Sequence, residues 1–430
     1  MSSVDIERVI RDLNAILEVS KAMSSEVQLD NLLQVIAQKT TEVMDADLSS
    51  LFVYDETRNE LWSKIAQKLG QLKEIRFPVE MGIAGDVAKT RRGANIADVY
   101  ADPRFNADFD RQTGYRTRSI LCLPMISSST GKLIGVIQVL NKRGGRVFDE
   151  RDESLLAALG SHAAVALERA QLTEAYVEKQ RIEEALKLAH DIQMSMLPKR
   201  FSPFTNAPAI DLYAAMEPAK EVGGDFYDFA FTDDHHLYFA IGDVCDKGIP
   251  AALLMAVTKT FLKGTASKGT LPDAILHEVN EELCRDNDSC NFVTLFCGIV
   301  NTETGEVLYA DAGHNPPLLA QRGKGVCFLE KSKGIAVGIK EDALFTMQRL
   351  RLQPGDFLFL YTDGVTEAMN EKEELFSEER LQREIMTGQE QSSQEMVTGI
   401  MQQLRTFCQG MSQADDITMM VLRLRDGPRR

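Results

Sequence analysis

Apolar residues recur every three or four positions over the first forty residues, a spacing that places them on one face of a helix. They form two sets separated by a polar stretch: Val9, Ile10, Leu13, Ile16 and Leu17, then Leu29, Leu32, Leu33 and Ile36. The pattern therefore predicts two amphipathic helices at the start of the chain.

Apolar runs typical of strands follow, each bounded by residues that favour turns. They predict one hairpin over 48–66, with its turn at 55–59, and a second over 120–140 around Ser-Ser-Ser-Thr-Gly. A third helix, from about 150 to 170, completes the series. Helices alternating with hairpins indicate an α+β sheet domain, whose helices we expect on one face of the sheet.

Residues 171–197 contain neither Gly nor Pro and are rich in Glu, Lys, Ala and Leu, which predicts a helical linker. Its apolar residues step by three and four, as in the seam of a coiled coil: Ile182, Ala185, Ala189, Ile192 and Met196. Two heptads are fewer than a coiled coil usually needs. A dimerisation helix, which would make the protein a homodimer, and a single amphipathic linker helix both remain open.

A strand-rich region fills the rest of the chain. Pro198 ends the linker helix, and Pro203 and Pro208 mark the boundary, because proline interrupts regular structure. Many strands are predicted over 210–424, with helices near 251–263, 272–285 and 391–407.

Charge and composition exclude several classes of function. The chain has 48 Lys and Arg against 64 Asp and Glu, a formal net charge of −16, which disfavours nucleic acid and anionic membranes as partners.

The longest apolar run, Phe292 to Val300, is far shorter than a membrane helix. The N-terminus lacks the basic segment of a signal peptide. Seven dispersed cysteines without zinc-site spacing are typical of free thiols in a reducing compartment, so we expect a cytoplasmic protein.

Four segments of the C-terminal half combine an apolar strand with aspartate, mostly beside glycine. The aspartates are Asp225, Asp243, Asp363 and the pair Asp415-Asp416. Strand ends bring side chains to one rim of a sheet, and clustered carboxylates repel one another unless a cation lies between them. Oxygen ligands without His or Cys favour Mg²⁺ or Mn²⁺, and two such ions can activate water and bind a phosphoryl group. Alone, each Asp-Gly would indicate a turn, but together the four segments predict a metal site.

At these residues the chain resembles the metal-dependent protein phosphatases (type 2C-like, PPM), in the branch of sporulation stage II protein E and the general-stress regulator phosphatases. The matching motifs run in the family's order: Ile192–Pro198, Glu221–Asp228, Gly242–Ala252, Asn291–Phe296, Ala312–Pro317, Tyr361–Ala368 and Asp415–Thr418. The resemblance implies an αββα sandwich over 198–430 that removes phosphate from phosphoserine or phosphothreonine on a regulatory protein, typically an antagonist of an anti-sigma factor.

The resemblance also implies roles for individual residues. Asp225 and Asp243 would bind both metal ions, and the carbonyl of Val244 would bind one. Asp363 and Asp415 would complete the inner ligands. Asp416, at a position where relatives have Asp or Asn, ranks as an outer ligand.

Three neighbouring residues have more than one interpretation. His314, in the turn Gly-His-Asn-Pro, could act as a general acid because histidine titrates near neutrality, but bracing of its loop is favoured. Lys247 is a weak substitute for the phosphate-binding arginine of the eukaryotic branch, and a solvated loop residue is favoured. Cys245 could be a nucleophile, but no His is fixed near it in sequence, so a packing role is favoured. Cys245 and Asp246 also stand where the family usually has Ser-Gly or a similar pair, a departure that bears on the geometry of this loop.

The N-terminal half resembles a GAF domain over residues 13–170. The motifs that carry the resemblance are Gly82–Gly85, Gly93–Asp98, Asp102–Phe105, Ser119–Pro124 and Ile134–Leu140. GAF domains bind small molecules or serve as dimerisation modules. The chain also matches the spacing of cyclic-nucleotide-binding GAF domains, whose Lys and Asp are thought to lock the pocket without contacting the ligand: Asn141, Lys142, Phe148, Asp152 and Glu153. Cyclic AMP or cyclic GMP, another ligand and no ligand all remain open, because a hairpin end before an acidic helix start gives the same residues.

The combined prediction is a sensor phosphatase in which a small molecule in the GAF domain regulates a site with two Mn²⁺ or Mg²⁺ ions. One alternative is a ligand-binding scaffold with a catalytically inactive phosphatase fold. Another is a histidine kinase, suggested by His190-Asp191 on the linker helix, but no Gly-rich ATP lid follows. Metal-dependent hydrolysis of a phosphate ester would distinguish the phosphatase from both.

Overall fold

The structure is a computed structural model that describes residues 3–26, 28–63, 75–202, 204, 207, 209–285, 287–288, 290–332 and 334–425. The chain divides into two compact units, Met1–Ile182 and Glu183–Arg430. Pro203, Pro208 and residues 64–66 of the first predicted hairpin lie outside the described residues.

The first unit is built on one antiparallel sheet with the strand order β3-β2-β1-β6-β5-β4. Its elements are α1 (Ser3–Ser25), α2 (Leu29–Val43), β1 (Ala46–Asp55), β2 (Glu60–Ser63), β3 (Ile75–Pro78), α3 (Gly82–Thr90), β4 (Ala94–Ile96), α4 (Asp108–Thr113), β5 (Ile120–Ile126), β6 (Leu133–Lys142) and the start of α5 (Glu150–Met196). Both N-terminal helices and both hairpins are present where the apolar pattern predicts them, with β1 paired to β2 and β5 to β6.

The expectation that all helices cover one face of this sheet is wrong. Helices α1, α2 and α5 pack against one face, around Leu51 and Val139, whereas α3 packs against the other, around Phe52 and Val136. Strands β1 and β6 are buried along most of their length. Because apolar residues fill both alternating sets of positions, the sheet needs cover on both faces.

The second unit consists of two five-stranded antiparallel sheets, ordered β14-β11-β10-β9-β8 and β13-β12-β15-β16-β7. Its elements after α5 are β7 (Ile210–Glu217), β8 (Phe226–Phe231), β9 (His236–Val244), α6 (Ile249–Ala266), α7 (Pro272–Cys284), β10 (Val293–Asn301), β11 (Glu306–Ala312), β12 (Leu318–Gln321), β13 (Gly325–Phe328), β14 (Gln348–Arg351), β15 (Phe357–Tyr361), α8 (Asp363–Thr366), α9 (Glu378–Thr387), α10 (Ser393–Phe407) and β16 (Ile417–Leu424).

The side chains of each strand point alternately to the two faces of the sheet, and this alternation explains the layers of this unit. In β16, Met420 and Leu422 face the core shared with the first of these sheets and with α6 and α7. Met419 and Val421 face the opposite side, where α9 and α10 pack. Successive strand residues point to opposite faces, so one strand contributes to both cores. The result is an αββα sandwich, which confirms the predicted α+β fold class.

Several elements differ from the prediction, among them α3, α4 and α8, which no predicted helix covers. The helices predicted at about 150–170 and 171–197 form one continuous helix, α5. Helix α9 has no counterpart in the prediction, because only Leu381 and Ile385 of its ten residues are buried and the rest of its pattern is polar. Across the described ranges, none of the helices is both long enough and apolar enough to span a bilayer.

Candidate active site

The four acidic segments lie at one edge of the sandwich. Asp243 is the next-to-last residue of β9, and Asp363 follows β15 after one residue, Thr362, in agreement with the strand-end prediction. For Asp225 and Asp415 that prediction is wrong, because they precede β8 and β16. The segments still meet, since β8 pairs with β9 and β15 with β16 in antiparallel fashion. In such a pair the start of one strand lies beside the end of the other.

A threonine directly after β15 orients Asp225, the most buried of the candidate ligands. Thr362 Oγ1 donates a hydrogen bond to Asp225 Oδ2 at 2.6 Å, and the Thr418 amide donates to Thr362 Oγ1 at 3.0 Å. Asp225 is only 1% exposed. The sequence analysis assigned no role to Thr362, although a hydroxyl residue directly before a candidate ligand was the available signal.

Asp416 holds the loop that precedes Asp225. Its carboxylate accepts hydrogen bonds from the amides of Ala219 at 2.7 Å and Gly224 at 2.6 Å, and from Asp225 at 3.4 Å. Gly223 lies so close to this carboxylate that a Cβ there would overlap it. The structure thus places Asp416 behind the candidate ligands, facing the loop backbone.

Burial and mutual repulsion dominate the electrostatics of the site. Burial and the adjacent Asp243 hold the pKa of Asp225 well above its usual value. Burial, Asp363 and Asp415 raise the pKa of Asp243 to about 7, and burial and Asp415 also raise the pKa of Asp363. Carboxylates in this situation take up protons or require a cation.

Lys247 provides one positive charge at the rim of the cluster. Its Nζ lies 2.8 Å from Asp415 Oδ2 and donates to the Ala414 carbonyl at 2.6 Å. The residue is an exposed loop residue, as expected, but its ammonium group is also paired with a candidate ligand.

The donor set fits hard divalent cations chemically. It consists of carboxylate and carbonyl oxygens, whose repulsion a cation would relieve. Gly224 leaves the Val244 carbonyl accessible, because a Cβ at this position would lie 2.9 Å from that oxygen. As they stand, the described side chains include no cluster of three or more His, Cys, Asp or Glu in a metal-holding arrangement. The chemistry of the set, and not a closed ligand geometry, is what fits Mg²⁺ or Mn²⁺.

His314 braces its loop. It is 1% exposed, its Nδ1 lies 2.8 Å from Thr294 Oγ1, and its amide donates to Asp311 Oδ1 at 2.8 Å. Burial lowers its pKa to about 4, so the imidazole is neutral at physiological pH and poorly suited to donate a proton. Thr294 is the β10 residue paired with Asp243, so the brace supports the strand beside that aspartate.

The first unit contains a cavity of about 450 Å³. Aromatic side chains and polar groups line it together, among them Phe52, Phe77, Phe105, Arg76 and Gln138. The size and mixed lining are typical of a small-molecule site.

None of the five residues of the cyclic-nucleotide motif lines this cavity, and Phe148 packs on the other face of the sheet, in the core shared with α5. Lys142 Nζ lies 2.5 Å from Asp152 Oδ1, and the two side chains are 12% and 11% exposed. Lys142 also lies 5.7 Å from the centroid of the Phe148 ring. Asn141 accepts a hydrogen bond from the Arg118 amide at 2.6 Å, and Glu153 accepts one from Asn95 Nδ2 at 2.8 Å. The motif therefore ties β6 to the start of α5.

Comparison with known families identifies both halves of the chain. Residues 28–167 match the GAF domain family, and residues 233–425 match the family of stage II sporulation protein E (SpoIIE). Among solved structures, the SiaA-PP2C domain of Pseudomonas aeruginosa aligns over 57% of this chain and 98% of its own, with a TM-score of 0.52 and 22% identity. This likeness shows the PP2C fold.

Three relatives are about one-third identical in sequence to this chain over the aligned segments. Protein IcfG of Synechocystis sp. is 32% identical over 237 residues, 49% of this chain and 37% of that protein. The phosphoserine phosphatase RsbU of Bacillus subtilis is 31% identical over 193 residues, 45% of this chain and 56% of RsbU. A probable 3',5'-cyclic phosphodiesterase of Caenorhabditis elegans, pde-5, is 34% identical over 192 residues, 42% of this chain and 25% of that protein. The chain thus spans between a quarter and somewhat over half the length of these relatives.

Proposed function

We propose that this chain, a GAF domain joined to a SpoIIE-type PP2C domain, is a metal-dependent serine/threonine protein phosphatase regulated through its GAF domain. The observation that carries the proposal is the group formed by Asp225, Asp243, Asp363 and Asp415, which repel one another at a single edge of a PP2C fold. Carboxyl groups whose pKa is strongly raised by burial and by neighbouring charges are typical of functional sites.

Two bound Mn²⁺ or Mg²⁺ ions would supply an activated water and would neutralise charge on the phosphoryl oxygens. The four aspartates and the Val244 carbonyl are the residues proposed to hold them. Thr362 fixes one oxygen of Asp225, and Asp416 fixes the loop that carries it. Lys247 adds positive charge at the rim, beside Asp415.

The proposed substrate is a regulatory protein phosphorylated on serine or threonine, such as an antagonist of an anti-sigma factor. The similarity to RsbU, a phosphoserine phosphatase, supports this substrate class. The net charge of −16 argues against nucleic acid or an anionic membrane as the partner.

The proposed GAF ligand is a small molecule, with cyclic AMP or cyclic GMP as the first candidates. The cavity of about 450 Å³, the paired Lys142 and Asp152, and the similarity to a cyclic phosphodiesterase support this choice. Its members do not line the cavity, so the pair is proposed to act on the pocket indirectly, through β6, which carries Lys142 and the lining residues Gln138 and Leu140.

The protein is further proposed to be a cytoplasmic homodimer. The apolar seam of α5 supports the dimer, since Ile182, Ile192 and Met196 are 52%, 53% and 44% exposed. The seven free cysteines support the reducing compartment.

Hydrolysis assays with the full chain test the proposal. We expect release of phosphate from a phosphoserine protein and from p-nitrophenyl phosphate in Mn²⁺, and none in excess chelator. Cyclic AMP or cyclic GMP should change the rate. A chain that binds nucleotide but hydrolyses neither substrate in Mn²⁺ or Mg²⁺ would instead be the inactive ligand-binding scaffold.

A further inference from the structure

The last turns of α5 contact the loop that carries Asp225. Gln193, in the segment Ile192–Pro198, is 4% exposed although it lies on a helix whose neighbouring positions 191 and 192 are exposed. The sequence motif that includes it has no part in the metal chemistry described above. A buried amide side chain has to find hydrogen-bond partners, and those of Gln193 lie in the active site.

Both polar atoms of the Gln193 side chain bond to one glycine. Its Nε2 donates to the Gly223 carbonyl at 2.6 Å, and its Oε1 accepts from the Gly223 amide at 3.1 Å. One turn earlier, His190 Nδ1 lies 2.7 Å from the Glu221 carbonyl oxygen. The helix thus binds the loop backbone at two positions, four and two residues before Asp225.

Asp416 packs against the same glycine. A Cβ on Gly223 would overlap the Asp416 carboxylate, and that carboxylate also binds the Gly224 amide at 2.6 Å. The loop is therefore held by the amide of Gln193 at Gly223 and by the carboxylate of Asp416 at Gly224. Removing either side chain would remove one of these two supports.

We infer that Gln193 is a positioning residue for the metal site: it holds Gly223 so that Gly224 packs on the Val244 carbonyl and Asp225 faces Asp243. The inference rests on the proposed function, because it concerns the loop that is proposed to bind metal. Gln193 would not contact the metal ions or the substrate. Its loss should therefore weaken metal binding more than it slows the reaction of the fully loaded protein, since ordering of the loop would then have to come from binding energy.

The test compares Gln193→Leu with Lys187→Ala in the full-length chain. Leucine keeps a side chain of similar size without either hydrogen bond, and position 187 is an exposed site on the same helix, outside the apolar seam. Mn²⁺ binding is measured directly, from the paramagnetic resonance signal of the free ion, and phosphatase activity is measured as a function of Mn²⁺ concentration.

We expect Gln193→Leu to raise the Mn²⁺ dissociation constant by about tenfold or more, the size expected from two lost hydrogen bonds. The rate at saturating Mn²⁺ should stay within about threefold of the unaltered chain, and Lys187→Ala should change neither value. Gln193→Met provides a second variant if Gln193→Leu does not fold. It keeps an unbranched side chain of similar length and loses the donor to the Gly223 carbonyl, so a similar shift is expected.

A Gln193 variant that melts at a lower temperature but binds Mn²⁺ as tightly as the unaltered chain would overturn the inference alone, because Gln193 would then only stabilise the fold. Absence of Mn²⁺ and Mg²⁺ binding by the unaltered chain would overturn the proposed function and the inference with it.

Discussion

Buried carboxylates in the two units have opposite surroundings. In the first unit, Asp152 lies 2.5 Å from the ammonium group of Lys142, and both side chains are largely buried. In the active site of the second unit, Asp225 and Asp243 face each other and two further aspartates. A few residues along β8 from Asp225, Asp228 again has its own cation, Lys259 Nζ at 2.8 Å.

This difference separates two structural ion pairs from the carboxylates that are proposed to hold metal ions. In both structural pairs the chain places a lysine beside the buried carboxylate. In the proposed metal site the described residues place Lys247 at the rim and leave most of the repulsion uncompensated. Such an arrangement reduces stability in the absence of a cation, as expected of the proposed functional site.

The comparison predicts that neutralising a proposed ligand has the largest effect on activity. Asp225→Asn and Asp363→Asn should lower the turnover number by about a thousandfold or more, because each removes a ligand and the positioning that depends on it. Circular dichroism should remain that of the native fold. Phosphate release at more than about a tenth of the normal rate in either variant would contradict the ligand assignment.

Breaking the structural pair should affect stability and ligand binding instead. Lys142→Met leaves Asp152 buried without its cation, which should lower the free energy of unfolding of the first unit by about 2–3 kcal/mol. Nucleotide binding should weaken and its regulatory effect should be lost, while basal Mn²⁺-dependent hydrolysis continues.

The control for this pair is Lys39→Met, which removes a surface ion pair to Glu42 and should change stability by less than about 0.5 kcal/mol. Chemical denaturation and calorimetry with cyclic AMP and cyclic GMP provide the measurements. Equal destabilisation by the two substitutions would remove the distinction between the buried pair and an ordinary surface pair.

Neutralising an active-site aspartate should stabilise the metal-free protein. The folded pKa of Asp243 is about 7, well above the value of 3.8 for an isolated aspartate, so its contribution to stability is fully present below about pH 4 and is lost as the pH rises through 7. Asp243→Asn should therefore raise the free energy of unfolding at about pH 8 by roughly 1–3 kcal/mol, with almost no effect near pH 4.

Added Mn²⁺ should reverse the order of stability of the two proteins. It should raise the free energy of unfolding of the unaltered chain and not that of the Asp243→Asn variant. Denaturation at several pH values in chelator and in Mn²⁺ gives both results. A metal-free chain whose stability does not change between about pH 5 and pH 8 would show that the cluster is already neutralised by other means.

The smallest effect is expected on α5, which exposes the apolar residues of the proposed seam among its charged residues. Ile182→Glu places a charge in the proposed dimer seam and should raise the dimer dissociation constant by about tenfold. Glu184→Lys, at an exposed position outside the seam, should leave it unchanged. Sedimentation equilibrium measures both, and a monomer at micromolar concentration without any substitution would refute the dimer.

The sequence by itself determined the elements with a clear period and the residues with distinctive chemistry. Apolar spacing was sufficient for α1, α2 and the hairpins, and the aspartate segments pointed to one acidic site before any fold was known. Helix α9 could not be found in this way, because so few of its positions are buried. The presence of α3 on the second face of the sheet was also hidden, since fully buried strands carry no alternation to indicate what covers them.

Only the tertiary structure decided which groups meet. Antiparallel pairing brought Asp225 beside Asp243, although the two precede and end different strands. Packing of the two sheets placed Thr362 on Asp225, and packing of α5 placed Gln193 on Gly223, contacts between residues 137 and 30 positions apart. Periodicity and composition report what a residue needs, such as burial or a partner. The identity of that partner depends on long-range packing, which no local pattern contains.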